Sequence, residues 1–539
     1  MMELNSNLLF TDAFDEENFN STNARGTYNP MQFVIRLRED IHVALKEDDL
    51  SPNKIQAFST FLHENIHWWQ HVGSNFGFIL SLSYPALSHA VHGDLKTLIE
   101  RNERYKPIIK YDNHYFKTHK KLDNYEVNRI LNNYHDLLYA KWFAYDNKNI
   151  HKIVKDRRFF LSVGHCYRIL WTTSVHTLAH CLDKEYQFLP NVTKWLEEFK
   201  KLEQNKVDGF YIDSAIGIAP LGIKAIYEGQ ARFNQLQYLT IASENTLKYD
   251  DFKKSGMLNG IYVEAFDLFL KITKINVPAD FNNATIGLFL LVCDIAINPT
   301  EGFPHDIFHF ESFIYSNDPG IRFIMLCQAI SKDKTAWENC IQDYSAEEYI
   351  KNSEKLCDLI FCLSPYFGIE AVNKWIETES SIKELMEEEK KMDFNSNNLP
   401  IRLFFSKYLK MQQDKLKYPN VFCWIGKSMT SECCSEIELE KVVELFDKHR
   451  ALYIDDIDKE IHPMHFDEFP SENIEKSFNA FYTYNTSYDM IHKWIKQEGD
   501  FTYDYEWLTP KYTKEETTKW IRENFKDMFT IYPEDITII

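Results

Sequence analysis

Between Pro52 and Gly73 the stretch "NKIQAFSTFLHENIHWWQHV" contains nothing that interrupts an α-helix, and Ser51 before it suits a cap. The run is read as one rigid helix of about five turns, against which the surrounding chain must pack. Breakers are scarce throughout. Only 17 Gly and 17 Pro occur in 539 residues, which fits long helices joined by short turns better than an all-β or Gly-rich nucleotide fold. With 44% apolar and 15% aromatic residues the chain can bury several ordinary cores, enough for roughly two to four domains.

Around this helix, "MQFVIRL" (31–37) and "IHVAL" (41–45) are apolar and β-branched with charged "RED" between them, which predicts a short hairpin. Helical patterns follow to about residue 390, including 86–105, 127–145, 174–189, 192–204 and 220–242. "IGLFLLVCDIAI" (286–297) is too short to span a bilayer and reads as a buried core helix. The charged run "KELMEEEKKMD" leads into "FNSNNLP" (394–400), the best linker candidate. The last segment is aromatic-rich and mainly helical, with "YPNVFCWIGKSM" (418–429) as a loop. The expectation is a mainly α chain of the α+β type. It divides into a leader and hairpin (1–50), a helical core with insertions (51–392) and a helical C-terminal region (393–539).

A net charge of −20 argues against nucleic acid as a partner. The ten cysteines form no CxxC pair, and adjacent Cys433 and Cys434 cannot easily bridge each other, so reduced thiols in a reducing compartment are expected. The acidic N-terminus lacks a signal-peptide core and no window is long enough to cross a membrane, so the location expected is cytoplasmic.

The long helix carries His63-Glu64-Asn65-Ile66-His67. Four residues advance about 400° along a helix, so His63 and His67 present two imidazoles to one ion. Glu64 lies about 100° round from His63, beside that ion and free to take a proton from water. Random placement of the 19 His and the Glu residues would give about 0.05 such motifs in a chain this long. His71 extends the row, but sits about 12 Å along the axis from His63 and cannot share one ion with both others on a straight helix.

A strand pair followed by a helix bearing H-E-N-I-H resembles the zincin metallopeptidases. The metzincin branch continues HExxHxxGxxH, whereas Gln70 and Gly73 stand at those positions here. The gluzincin branch takes its third ligand from a glutamate on a later helix, and Glu228-Gly229-Gln230-Ala231 resembles its E-G-x-A segment. The resemblance implies a zincin-like core binding Zn2+ through His63, His67 and Glu228, with Glu64 as general base. It also implies that Gly229 and Ala231 let the second helix approach the first. Arg232 stands where many gluzincins place an Asp that orients a ligand histidine.

Tyr227 and Arg232 are the nearest candidates to stabilise a transition state. Glu301 and His305 in "NPTEGFPHDIFHF" and the local His71 are the alternative sources of a ligand or of a supporting side chain. His176 with His180, and "IHPMH" (461–465), read as packing or loop, as do Trp68 and Trp69. The function expected is an intracellular zinc metallopeptidase acting on a specific protein or peptide, with a regulatory partner at the C-terminal region. The alternative is an inactive zincin-like binding module with a structural metal. A ferritin-like di-iron site would need Glu64-x-x-His67 twice, and its only other instance, Glu39 to His42, falls in the expected hairpin.

Overall fold

The structure is a computed structural model and describes residues 2–9, 24–48, 51–111, 114–115, 117, 124–146, 150–430, 437–464, 469–505, 507–508 and 511–539. Cys433, Cys434 and His465 lie outside the described residues.

The breaker-free run forms a helix over Pro52–Gly73, with the Ser51 side chain accepting from the Asn53 amide and Pro52 in its first turn. We call it the motif helix. From Phe61 onward nearly every residue is buried, so this half of the helix is enclosed on all sides. Its neighbours are the helices Ile223–Ala242, Asn75–Glu100, Leu399–Lys415 and Glu39–Leu45. At its C-terminus the Gly73 carbonyl accepts from Gln412 Nε2 at 3.0 Å and Lys415 Nζ at 2.6 Å, a cation at the negative end of the helix dipole. Trp68 packs on Tyr28 and Phe33, and Trp69 on Phe422 and Phe446, so both serve the core.

The hairpin differs from the expectation. Val34–Leu37 is a strand, but its partner is the upstream Gly26–Asn29, antiparallel with Gly26 opposite Leu37. Residues 41–45 belong instead to the helix Glu39–Leu45. Glu39 and Asp40 favour its first turn, and Ile41 and Ala44 bury one face at helical spacing. On the other side Val34–Leu37 pairs in parallel with Tyr453–Asp455, which pairs antiparallel with Ile461–Pro463. The result is a four-stranded mixed sheet whose edge strand, Gly26–Asn29, lies on the motif helix.

The fold is therefore mainly helical with a small sheet, and Ala284–Ile297 is the buried core helix expected. The first and last of the three expected regions share that sheet, and all three share one buried core. Asn65 accepts from the Ala451 amide and Trp69 donates to the His449 carbonyl, so the C-terminal region docks directly on the motif helix. The predicted linker is a tight connection with Phe394 and Leu399 buried. The predicted loop 418–429 holds two short buried helices, Pro419–Cys423 and Ile425–Ser428. Among the described residues no helix is long and apolar enough to cross a membrane.

Candidate metal centre

The one-turn spacing on the motif helix brings His63 Nε2 and His67 Nε2 to 3.2 Å. Glu228, on the helix Ile223–Ala242, places Oε2 at 3.5 Å from both nitrogens. These three donor atoms lie within 4.8 Å of one another. Among the described residues one other such group exists, Asp458, Glu460 and His462; there His462 pairs with Asp458 and Glu460 with Lys511.

Gln70 fixes the tautomer of His67. Its amide nitrogen donates to the Tyr227 carbonyl and to Gln230 Oε1, both at 2.9 Å. Its Oε1 is thereby left to accept from His67 Nδ1 at 2.8 Å. In the neutral ring the proton then sits on Nδ1, and the Nε2 lone pair of His67 faces Glu228 and His63. His63 Nδ1 is buried without a partner among the described residues.

Burial pulls His67 down, but the Glu228 and Glu64 carboxylates outweigh it and raise it to about 9. Burial, with the His67 charge, pushes His63 down to about 3. Glu228 is held well below the usual carboxylate range, because the two imidazoles outweigh its burial. The three groups thus share one proton, in a place where a divalent cation would satisfy all three lone pairs. Two imidazoles and a carboxylate are a donor set that suits zinc, and the residues fit such an ion.

Glu64 is buried at 6% exposure, beside this cluster and outside the ligand set. Burial, opposed by His67 and reinforced by Glu228, raises it to about 7, and the Tyr28 amide donates to it. Gly26 on the edge strand makes room for this carboxylate, since a Cβ there would lie 2.6 Å from Glu64 Cγ. A cavity of about 380 Å3 opens over the four residues, walled by Tyr145, Arg232, Tyr262 and the strand Gly26–Asn29.

The remaining candidates divide. Arg232 reaches the cavity, with its guanidinium 4.0 Å from the Tyr262 ring centroid and Nη1 donating to Gln235. Tyr227 does not: its hydroxyl donates to the Gln70 carbonyl at 3.3 Å and its ring packs on His71. Tyr145 lines the cavity instead, with Tyr28 and Tyr262, its phenol pushed up to about 12 by burial and by Glu228. His71 donates to the His67 carbonyl at 2.8 Å and is not a ligand. Glu301 and His305 stand apart from the cluster: His305 stacks on Phe367, and Glu301 is approached by His309 and the Phe308 backbone. His176 bonds Tyr186. His42 bonds Asp455, which removes the second Glu-x-x-His unit from this site.

Gly229 also plays a different part from the one expected. It faces Ala265 and Phe289, away from the motif helix, with a Cβ there 3.4 Å from each. Sequence reasoning missed Gln70, whose signal was its position three residues after His67, and Tyr145, which carries no local signal. Comparison of the chain with protein-family models, curated proteins and solved structures finds no match in any of the three.

Proposed function

We propose that the chain is a zinc-dependent peptidase of the zincin type, gluzincin-like in its third ligand, acting on a protein or peptide. The observation that carries the reading is Glu228, whose carboxylate oxygen stands 3.5 Å from both imidazole nitrogens of the HExxH helix. A zinc ion held by His63, His67 and Glu228 supplies Lewis acidity toward a carbonyl oxygen and toward water. Glu64, buried beside the three ligands, accepts the proton of the attacking water and returns it to the amine as the C–N bond breaks. Tyr145 and Arg232, with Tyr28, Tyr262 and Lys224, are donor-bearing residues lining the cavity where an oxyanion would develop. A purely structural metal would need no further carboxylate beside its ligands, and the buried Glu64 in that place favours the peptidase over the inactive binding module.

The test pairs metal analysis of the purified protein with Glu64→Gln and a proteome-wide search for new N-termini on expression. Zinc retained in both forms, with cleavage reduced about a hundredfold or more in the variant, is the expected result. Undiminished cleavage by Glu64→Gln would overturn the peptidase reading. Zinc without cleavage in either form would assign the site to the binding module.

A further inference from the structure

A second cavity, of about 520 Å3, meets the first at Pro30 and Tyr145, which line both. Its size falls within the roughly 300–1,000 Å3 of small-molecule sites. Phe33, Leu80, Trp142, Ile401, Phe404 and Phe481 make its wall largely apolar. The ionisable groups facing it, tyrosines aside, are Lys141, Lys152, His71 and Asp146.

Lys141 is the anomaly among them. It lies one helical turn before Tyr145, makes no ion pair or hydrogen bond among the described residues, and the only charged group bearing on it is another cation, Lys496. Behind it His492 is buried against Tyr84, with Nε2 unpartnered among the described residues. A half-buried lysine in a largely apolar cavity, unpaired among the described residues although Asp146 lines the same cavity, is left free for an anion that a ligand brings.

We infer that this cavity binds a large apolar group bearing a carboxylate, with Lys141 pairing the carboxylate. Resting on the peptidase reading, the occupant is the C-terminal residue of a peptide, aromatic or branched aliphatic, whose backbone passes Tyr145 to reach Glu64. The enzyme then acts near free C-termini, and peptides with amidated ends are poor substrates.

Calorimetric binding to the Glu64→Gln protein tests this without requiring turnover. The probes are N-acetyl-phenylalanine, its amide, and dodecanoate. The acid should bind about tenfold or more tighter than the amide, Lys141→Met should erase the difference and Lys141→Arg should retain it. Equal binding of acid and amide, or a preference that survives Lys141→Met, overturns the proposal. Binding of dodecanoate alone assigns the cavity to a fatty acid and overturns the peptide assignment. Binding as expected in a protein that cleaves nothing would leave the pocket standing and remove the peptidase reading.

Discussion

Gln70 shows how much one side chain decides at this site. A histidine binds a metal only through an unprotonated nitrogen, so the partner of its other nitrogen sets its affinity. Gln70 accepts from His67 Nδ1 because both of its own N–H groups are already committed, to Tyr227 and Gln230. Where the resemblance led one to expect an acidic residue on the second helix, an amide on the motif helix itself orients the ligand. Gln70→Leu should therefore weaken zinc about 10- to 100-fold, measured by competition with a chelator, while leaving secondary structure intact. An unchanged zinc affinity would mean that His67 is oriented by packing alone. The HExxH residues were legible because their spacing is itself the chemistry. Gln70 was in view as well, but only as a departure from another branch's pattern.

At the scale of elements, the turn after the motif helix is the tightest constraint on the site. Ser74 ends one helix and caps the next, accepting from the Gly77 amide at 3.0 Å and donating to the Gln70 carbonyl at 2.5 Å. A Cβ on Gly77 would collide with that carbonyl and stand 2.7 Å from the Tyr227 hydroxyl. Gly77→Ala should cost about 3 kcal/mol, the upper end for overpacking, because a backbone oxygen cannot swing aside. Gly93 in the same helix is the control, since a Cβ there meets nothing within 4 Å. Gly93→Ala should stabilise by about 0.5–1 kcal/mol. Thermal unfolding of the two variants should shift in opposite directions, and a shared direction would show that the Gly77 approach is relaxed. The helix was readable from its uninterrupted sequence and its Ser-Pro start. The hairpin was not: Gly26–Asn29 is four residues of an edge strand with no buried position, so it shows no alternation, whereas the β-branched "IHV" imitated a strand.

At the scale of the whole molecule, the segment "FNSNNLP" has a linker's composition and not its structure. Sequence pattern reports local polarity, whereas a boundary depends on contacts that only the folded chain makes. Here those contacts are ion pairs between the helices on either side, Ser380–Lys391 and Leu399–Lys415. Arg402 bonds Glu388, and Lys407 and Lys410 both reach Glu389. Glu389 is 1% exposed, yet the two lysines outweigh its burial and hold it at about 2, against an ordinary 4.5. Since its folded value is depressed, the stability it contributes is complete above 4.5 and is lost as pH falls toward 2. That drop corresponds to about 3 kcal/mol. Glu389→Gln should therefore lower stability by that order at about pH 7, with two lysines left facing an uncharged amide. The gap to the unsubstituted protein should narrow at about pH 3.5, because the native glutamate is then losing the same contribution. Urea midpoints at the two pH values measure this directly. A gap equally wide at both would mean that Glu389 is not held ionised, and the pairing of these helices would then rest on Phe394, Leu399 and the apolar face beneath them.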